Sequence, residues 1–421
     1  MSNPTGSGRV LPVLRRPVID EARDAIVARG SVRAAARRWS DVVHRWLALT
    51  VGAILVITGV TGSLLAFYIE IERTLYPHMR TAHPHALPIS YEAVYQRLVH
   101  LSPVDPPGGT WSIEIPPDGG VITSRRYYPA PPGKTAPPPR MVTLDPVTLE
   151  VLRDAHWNDT FFTWIYDLHM YLQIGATGTI GQTGMGIAAL LMLVMFFAGL
   201  GNWLLPPGTL RAKFRFRWNK TTRARRMYDA HKLIGGCTIA LLTLTVATGA
   251  LISLPDQVRA TLNRFSPLKP AEPSVRSTLV ASSQRIALDK IIAQGLAYFP
   301  GSRVVWVDVP MLPTGTYDLE IRQAGAPMTR FPRTHLYLDQ YSGAVLAVYD
   351  PKRDDAGDTI LNWLVPLHDG KAFGLVGRVW VMLLGLVPIA MVATGFARWR
   401  QKRAARNAAV RKRLMARSLL N

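Results

Sequence analysis

Four histidines stand out by type and spacing. The pattern D-T-x-x-x-W-x-x-x-L-H runs from Asp159 through Thr160, Trp164 and Leu168 to His169, and again from Asp358 through Thr359, Trp363 and Leu367 to His368. Such a match at identical spacing points to a tandem duplication. His44 and His231 form a second matched pair. Each opens an apolar stretch, and each is followed seventeen residues on by Thr-Gly, at Thr61-Gly62 and Thr248-Gly249. Two imidazoles per pair are the ligand set of a six-coordinate b-type haem, whose iron takes neutral imidazole nitrogen readily. Zinc normally asks for three or four protein ligands, and neither pair has a Cys, Asp or His companion at ligand spacing. No C-x-x-C-H occurs, which excludes covalently attached haem. Two b-type haems are therefore expected, with His44 and His231 as axial ligands to one iron and His169 and His368 to the other. A single histidine at a membrane helix end would more simply hydrogen-bond a lipid head group; the repeat symmetry of four favours metal.

These histidines need elements to hold them, and the apolar runs supply those. Trp46 to Tyr68, Gly184 to Leu205, Leu233 to Leu254 and Val379 to Ala397 carry no charge in their interiors. Each is near the ~20 residues that cross a ~30 Å hydrocarbon core. The net charge of +21 has a distribution to match. Residues 1–45, 205–232 and 398–421 hold nine basic residues each, against four, one and no acidic ones. Basic excess confined to span-flanking segments is the positive-inside pattern and not a nucleic-acid footprint; it places both termini and the middle loop in the cytoplasm, near anionic lipid. The expected order is a basic tail 1–45, spans 46–68, 184–205, 233–254 and 374–397, a basic loop 206–232 and a basic tail 398–421. Residues 71–168 and 255–367 then lie across the membrane, in the periplasm of a bacterium. The lone Cys237 falls within the third span, so no disulfide braces either outer unit. The first span shows no small-residue cleavage site and reads as an uncleaved anchor.

Within the outer units the repeat continues. Tyr91–Leu101 and Ile286–Tyr298 read as helices. Apparent strands follow at Thr110–Ile115, Val121–Tyr128 and Arg140–Leu152, and at Val304–Val309, Tyr317–Arg322 and His335–Val348. Turn residues Asp145-Pro146 and Ser342-Gly343 make the last strand of each set a hairpin. Gly175, Gly178, Gly181, Gly184 and Gly186 lack a surrounding βαβ unit, so they read as a flexible hairpin before the second span and not as a nucleotide site.

Other residues support the metal reading less strongly. Gly62 lies eighteen residues beyond His44, about 27 Å of helix, which brings it level with the second histidine pair. Gly249 matches it, and Gly199 and Gly395 do the reverse. A flat porphyrin needs positions without side chains, although small residues also serve plain helix packing. Arg45, Lys232 and Arg378 could pair with haem propionates or merely snorkel at the interface. His78, His83 and His85 could contact iron or form a solvated loop. His100, His156 and His335 have no matched partners and read as ordinary residues of the outer units.

The chain resembles the PepSY-associated transmembrane family, which includes bacterial inner-membrane proteins of iron uptake and ferric-siderophore reduction. The resemblance spans roughly residues 35–400. It rests on His44 with Thr61-Gly62, Leu168-His169 with Gly199 and Trp203, His231 with Thr248-Gly249, and Leu367-His368 with Gly395 and Trp399. It rests also on the helix-then-strands layout of the outer units, which is like that of PepSY modules. It implies an α-helical membrane protein with four transmembrane helices, two α+β periplasmic domains and two haems, whose four ligand positions these histidines match. It further implies reduction of ferric chelates, ferric siderophores among them, on the periplasmic side. Some relatives carry a fused flavin and nicotinamide reductase domain; these 421 residues hold no dinucleotide fingerprint, so the electron donor stays open. Two other classes remain: a haem-free binding or regulatory protein, and a siderophore transporter. The latter would be expected to have broken spans with polar groups at mid-membrane, whereas only Pro388 interrupts a span here.

Overall fold

A computed structural model describes residues 16–102, 108–132, 134–175, 179–206, 208–215, 222–270, 273–279 and 284–418. Gly178 and parts of the basic tails and loop lie outside them. Twelve α-helices run in order: α1 Arg16–Thr50, α2 Gly52–Leu65, α3 Tyr68–Leu75, α4 Tyr91–His100, α5 Phe161–Tyr171, α6 Thr179–Leu204, α7 Leu210–Lys213, α8 Arg223–Ser253, α9 Pro255–Leu262, α10 Leu288–Tyr298, α11 Ala356–His368 and α12 Gly374–Ser418. Eight strands complete the described residues: β1 Thr110–Glu114, β2 Ile122–Tyr127, β3 Arg140–Leu144, β4 Val151–His156, β5 Arg303–Pro310, β6 Thr316–Arg322, β7 Thr334–Asp339 and β8 Val345–Tyr349.

Among the described residues three helices, α6, α8 and α12, are long and apolar enough to cross a membrane. A fourth span exists if α1 and α2, bent by 57° at their junction, count as one. The expected first span is therefore broken beside Val51, where Gly52 opens the new helix. With the bend, His44 and Gly62 come to about 24 Å apart by helical rise, not 27 Å. The bundle has a repeated plan: α1 packs on α6 as α8 packs on α12, and α2 on α12 as α6 on α8. Its core gathers Val51, Leu55, Met192, Met195, Phe196, Leu242 and Leu384. The glycines expected to make a flexible hairpin before the second span instead lie mostly within it. Helix α6 runs through Gly181, Gly184 and Gly186, and a side chain at Gly186 would strike Leu254.

The two expected α+β units meet in one sheet. All eight strands form a single antiparallel ladder in the order β4-β3-β2-β1-β5-β6-β7-β8. Its centre is the pairing of the two first strands, Thr110↔Pro310 through Glu114↔Trp306. Alternation sets the faces. Trp111, Ile113, Ile122, Val142 and Leu144 from one copy join Val307, Val309, Leu319, Ile321, Leu336 and Leu338 from the other in a common core under α4 and α10. Those helices cap one another across the join. Asp289 of α10 accepts the Tyr91 and Glu92 N–H groups, at 2.8 and 3.1 Å, and Glu92 of α4 accepts the Leu288 N–H at 2.9 Å. Each hairpin turn is built on an aspartate: Asp145 accepts the N–H groups of Val147 and Thr148, and Asp339 those of Tyr341 and Ser342. Burial disfavours the charge on Asp145, but the hydrogen bonds from Thr81, Thr148, Val147 and His83 outweigh it and hold the carboxyl far below its usual range.

Candidate functional site

The duplicated motif reaches its histidine by slightly different routes. In the first copy Thr160 caps α5, its hydroxyl accepting the Thr163 N–H. In the second, α11 starts earlier, at Ala356, and Asp358 instead accepts the Lys269 N–H at 3.1 Å. Both helices deliver their histidine near the C-terminal end, at the end of the bundle nearer the sheet. There the His169 and His368 rings face one another with centroids 6.1 Å apart. At the other end His44 of α1 and His231 of α8 approach to 6.2 Å. Two imidazoles that share one metal through bonds of about 2.0–2.1 Å place their ring centres roughly 6 Å apart. Both pairs therefore have the span of a two-histidine metal centre.

The hydrogen bonds fix which nitrogen is available. His44 Nδ1 lies 2.9 Å from the Met195 carbonyl, and His368 Nδ1 2.9 Å from the Thr245 carbonyl. A carbonyl can only accept, so in both rings Nδ1 carries the proton. His169 Nδ1 meets Thr61 Oγ1 at 3.0 Å, and His231 Nδ1 meets Thr394 Oγ1 at 2.9 Å. Those hydroxyls already donate to the carbonyls of Ile57 and Ala390, so they too accept from Nδ1–H. All four rings are thus set in one tautomer, with the Nε2 lone pair left over. Among the described residues no Nε2 makes a hydrogen bond. An imidazole anchored through one N–H and free at the other nitrogen is how metal-ligating histidines are usually held.

Glycines complete each site. A Cβ at Gly62 would stand 3.0 Å from His169 Cε1, and one at Gly249 2.9 Å from His368 Cε1. At the other end the distances are 2.9 Å from Gly199 to His44 and 3.4 Å from Gly395 to His231. The four glycines picked out in the sequence are therefore the four against which the histidine rings lie. This donor set and its small-residue cradle fit a haem at each end.

Residue 42 to residue 402 matches the description PepSY-associated TM region. The chain belongs to that family. All four histidines of this PepSY-associated membrane protein lie within the matched segment. No curated protein matches the chain.

The remaining sequence candidates are placed as follows. Arg45 pairs with Asp41 at 3.9 Å, Lys232 with Asp229 at 3.6 Å, and Arg378 with Glu70 at 2.7 Å and with the Ala66 carbonyl. Any propionate would compete with these partners. His83 leans on the Asp145 turn at 3.3 Å and His78 packs edge-on to Tyr76. Among the described residues no three His, Cys, Asp or Glu side chains converge as a metal group. Sequence reasoning assigned a role to the glycine of each Thr-Gly pair and overlooked the threonine. Thr394-Gly395 is a further Thr-Gly pair, but the dipeptide occurs eight times in the sequence and so did not by itself mark the threonine. Also overlooked is a cleft beside α11, lined by Gln323, Met328, Arg333, Lys352, Asn362 and Trp363.

Proposed function

We propose that this protein carries electrons across a bacterial inner membrane through two b-type haems and reduces ferric chelates, such as ferric siderophores, on the periplasmic side. The observation that carries this reading is the shared posture of the four imidazoles. Each has Nδ1–H anchored and Nε2 spare, in two pairs at opposite ends of one bundle. When bound, haem iron supplies a one-electron Fe(III)/Fe(II) couple at each end. Thr61, Thr394 and the carbonyls of Met195 and Thr245 orient the rings; the four glycines keep the space beside them open. Helices α1 with α2, α6, α8 and α12 act as four spans, and the basic segments hold both termini and the 206–232 loop in the cytoplasm. The His169–His368 end and the sheet then face the periplasm. The cleft on the His368 helix offers Arg333 and Lys352 to the oxygen-rich, anionic parts of a chelate, and Trp363 as an apolar wall. Once iron is reduced, hard oxygen donors hold it less firmly and it leaves as Fe(II). The electron crosses while the chelate stays outside.

Protein purified from haem-replete cells should give reduced-minus-oxidised spectra of low-spin b-type haem and a haem-to-chain ratio near two. The dithionite-reduced protein should be reoxidised by a ferric trihydroxamate, with Fe(II) captured by ferrozine. A colourless protein would refute the conduit. A coloured protein that no ferric chelate reoxidises faster than buffer would refute the substrate alone.

A further inference from the structure

The sheet face opposite α4 and α10 is unexpectedly acidic. Alternation puts Ser112 and Glu114 of β1, Trp306 and Asp308 of β5, Asp318 and Glu320 of β6, and His335 and Tyr337 of β7 on that side. Asp308 and Asp318 are direct cross-strand partners, as are Glu320 and His335. Like charges directly opposite destabilise an antiparallel pair, so a sheet with two facing aspartates is most stable when a proton is held there. The surroundings allow it. Asp318 is engaged by His335 Nδ1 at 3.0 Å. Asp308 Oδ1 is sealed from solvent and has no hydrogen-bond partner among the described residues. The cations facing the group are Arg125 of β2, whose guanidinium lies over the Trp157, Trp306 and Phe331 rings, Arg330, which also lies over Trp306 and pairs with Glu114, and Arg333 just before β7. Burial, reinforced by Asp308 and Asp318 against the opposing pull of His335 and Arg333, lifts Glu320 to about 8. Burial lifts Asp308 to about 6, with Ser112 and His335 opposing.

Arg330 ties this face to the chain that follows Gly62. Arg330 binds Glu114 at 2.7 and 2.8 Å and reaches the hydroxyl of Tyr68, six residues beyond Gly62. Arg333 also lines the cleft beside the His368 helix.

We propose that Glu320, assisted by Asp308 and resupplied from solvent through the Asp318–His335 pair, donates protons to the chelating groups that iron abandons. The proposal rests on the reduction reading above. The step balances for one hydroxamate arm: Fe(III) gains one electron from the reduced protein, two Fe–O bonds break, and the freed hydroxamate anion takes one proton from the Glu320 carboxylic acid. The neutral hydroxamic acid leaves, and the Glu320 carboxylate recovers its proton from water. A proton delivered as the Fe–O bonds break prevents the arm from closing again on the metal.

The test compares two acceptors on the dithionite-reduced, haem-loaded full chain by stopped flow. A ferric trihydroxamate needs protons to release iron; ferricyanide takes an electron and needs none. In the unaltered protein the trihydroxamate rate should fall as pH rises through the alkaline side of neutrality and should slow in D₂O, while the ferricyanide rate does neither. Glu320→Gln should cut the trihydroxamate rate roughly a hundredfold, the lower edge of what a positioned acid supplies, and leave ferricyanide unchanged; Glu320→Asp should recover part of the loss. The proposal is overturned if Glu320→Gln keeps the rate and its pH profile, or if both acceptors slow together. Failure of the unaltered protein to react with the trihydroxamate while ferricyanide reacts would remove the substrate, and this role with it.

Discussion

Replacing Thr61 by valine removes the hydroxyl that His169 Nδ1 meets at 3.0 Å and leaves the ring with its backbone partner at Thr58. Nothing else nearby is lost that matters to the fold, because the Thr61 hydroxyl otherwise back-bonds to Ile57 at 2.8 Å and Thr58 at 3.2 Å within its own helix, contacts that add little helix stability. Loss of such an outer hydrogen bond weakens metal binding roughly 10–100-fold, and the remaining Thr58 carbonyl sets the expectation at the lower end of that range. Thr61→Val should therefore loosen haem at the His169–His368 site by that factor. Thr394→Val should do the same at the His44–His231 site. Thr248→Val is the internal control. His368 keeps the Thr245 carbonyl at 2.9 Å, against 3.3 Å to Thr248 Oγ1, so its loss should stay under about threefold, less than one ordinary hydrogen bond. The measurement is the rate of haem transfer to a scavenging apoglobin, resolved by site. Potentiometry adds a sign: an imidazole that donates less strongly from Nδ1 is a poorer electron donor to iron, so the midpoint of the affected site should rise. Equal effects of Thr61→Val and Thr248→Val, or bleaching of both sites by either one, would refute the anchoring argument.

Alanine at Gly199 or Gly249, whose Cβ would come 2.9 Å from a ring carbon, should displace the histidine and distort that haem's spectrum, whereas Gly395→Ala, at 3.4 Å, should be nearly silent by electronic absorption. Reporter fusions should place residue 215 and the C-terminus in the cytoplasm and residues 120 and 330 outside; active alkaline phosphatase at 215 would contradict the topology. Asp145 has a depressed folded pKa, so its contribution is full above the unfolded carboxylate value of about 3.9 and is lost as pH falls below it toward the folded value. Hydrogen exchange in the β3–β4 hairpin should accordingly quicken in acid, and Asp145→Asn should show the fast exchange already at neutral pH.

Which histidine rings meet was readable from the sequence because each copy places its histidine at the same repeat position, and symmetry does the rest. The strands were readable from alternation, as in Val307 and Val309, but not the bulge at Val305, which brings Val304 onto the core face in its place. What the sequence hid has physical reasons. Hydropathy over Trp46–Tyr68 measures transfer from water and is blind to a bend at Val51. Nothing in either copy says which sheet edge is left for the other, so two units were expected where one ladder forms. Two of the four Nδ1 anchors are backbone carbonyls, which every residue possesses, so no residue type marks them. Gly181 and Gly186 looked like breakers because their use is steric: they admit the Ile174 carbonyl and Leu254. His335 looked ordinary because its partners, Asp318 and Glu320, sit on a neighbouring strand.

At the sheet, at the outer helices and at the histidines, the joints between the two copies unite equivalent parts. First strand pairs with first strand, the acid of α4 caps α10 as the acid of α10 caps α4, and His44 meets His231 as His169 meets His368. Contacts of a patch with its own counterpart are isologous, the kind a two-fold dimer makes. Each copy also supplies the anchors for its own histidines, Met195 and Thr61 in one and Thr394 and Thr245 in the other. A polypeptide of half the length thus contains all the parts of half of each centre, and self-association of two such molecules completes both at once. The 206–232 connection tethers halves that geometry would already mate. By making their stoichiometry permanent, it leaves each half free to drift from the other, as Asp167 has from its counterpart Pro366.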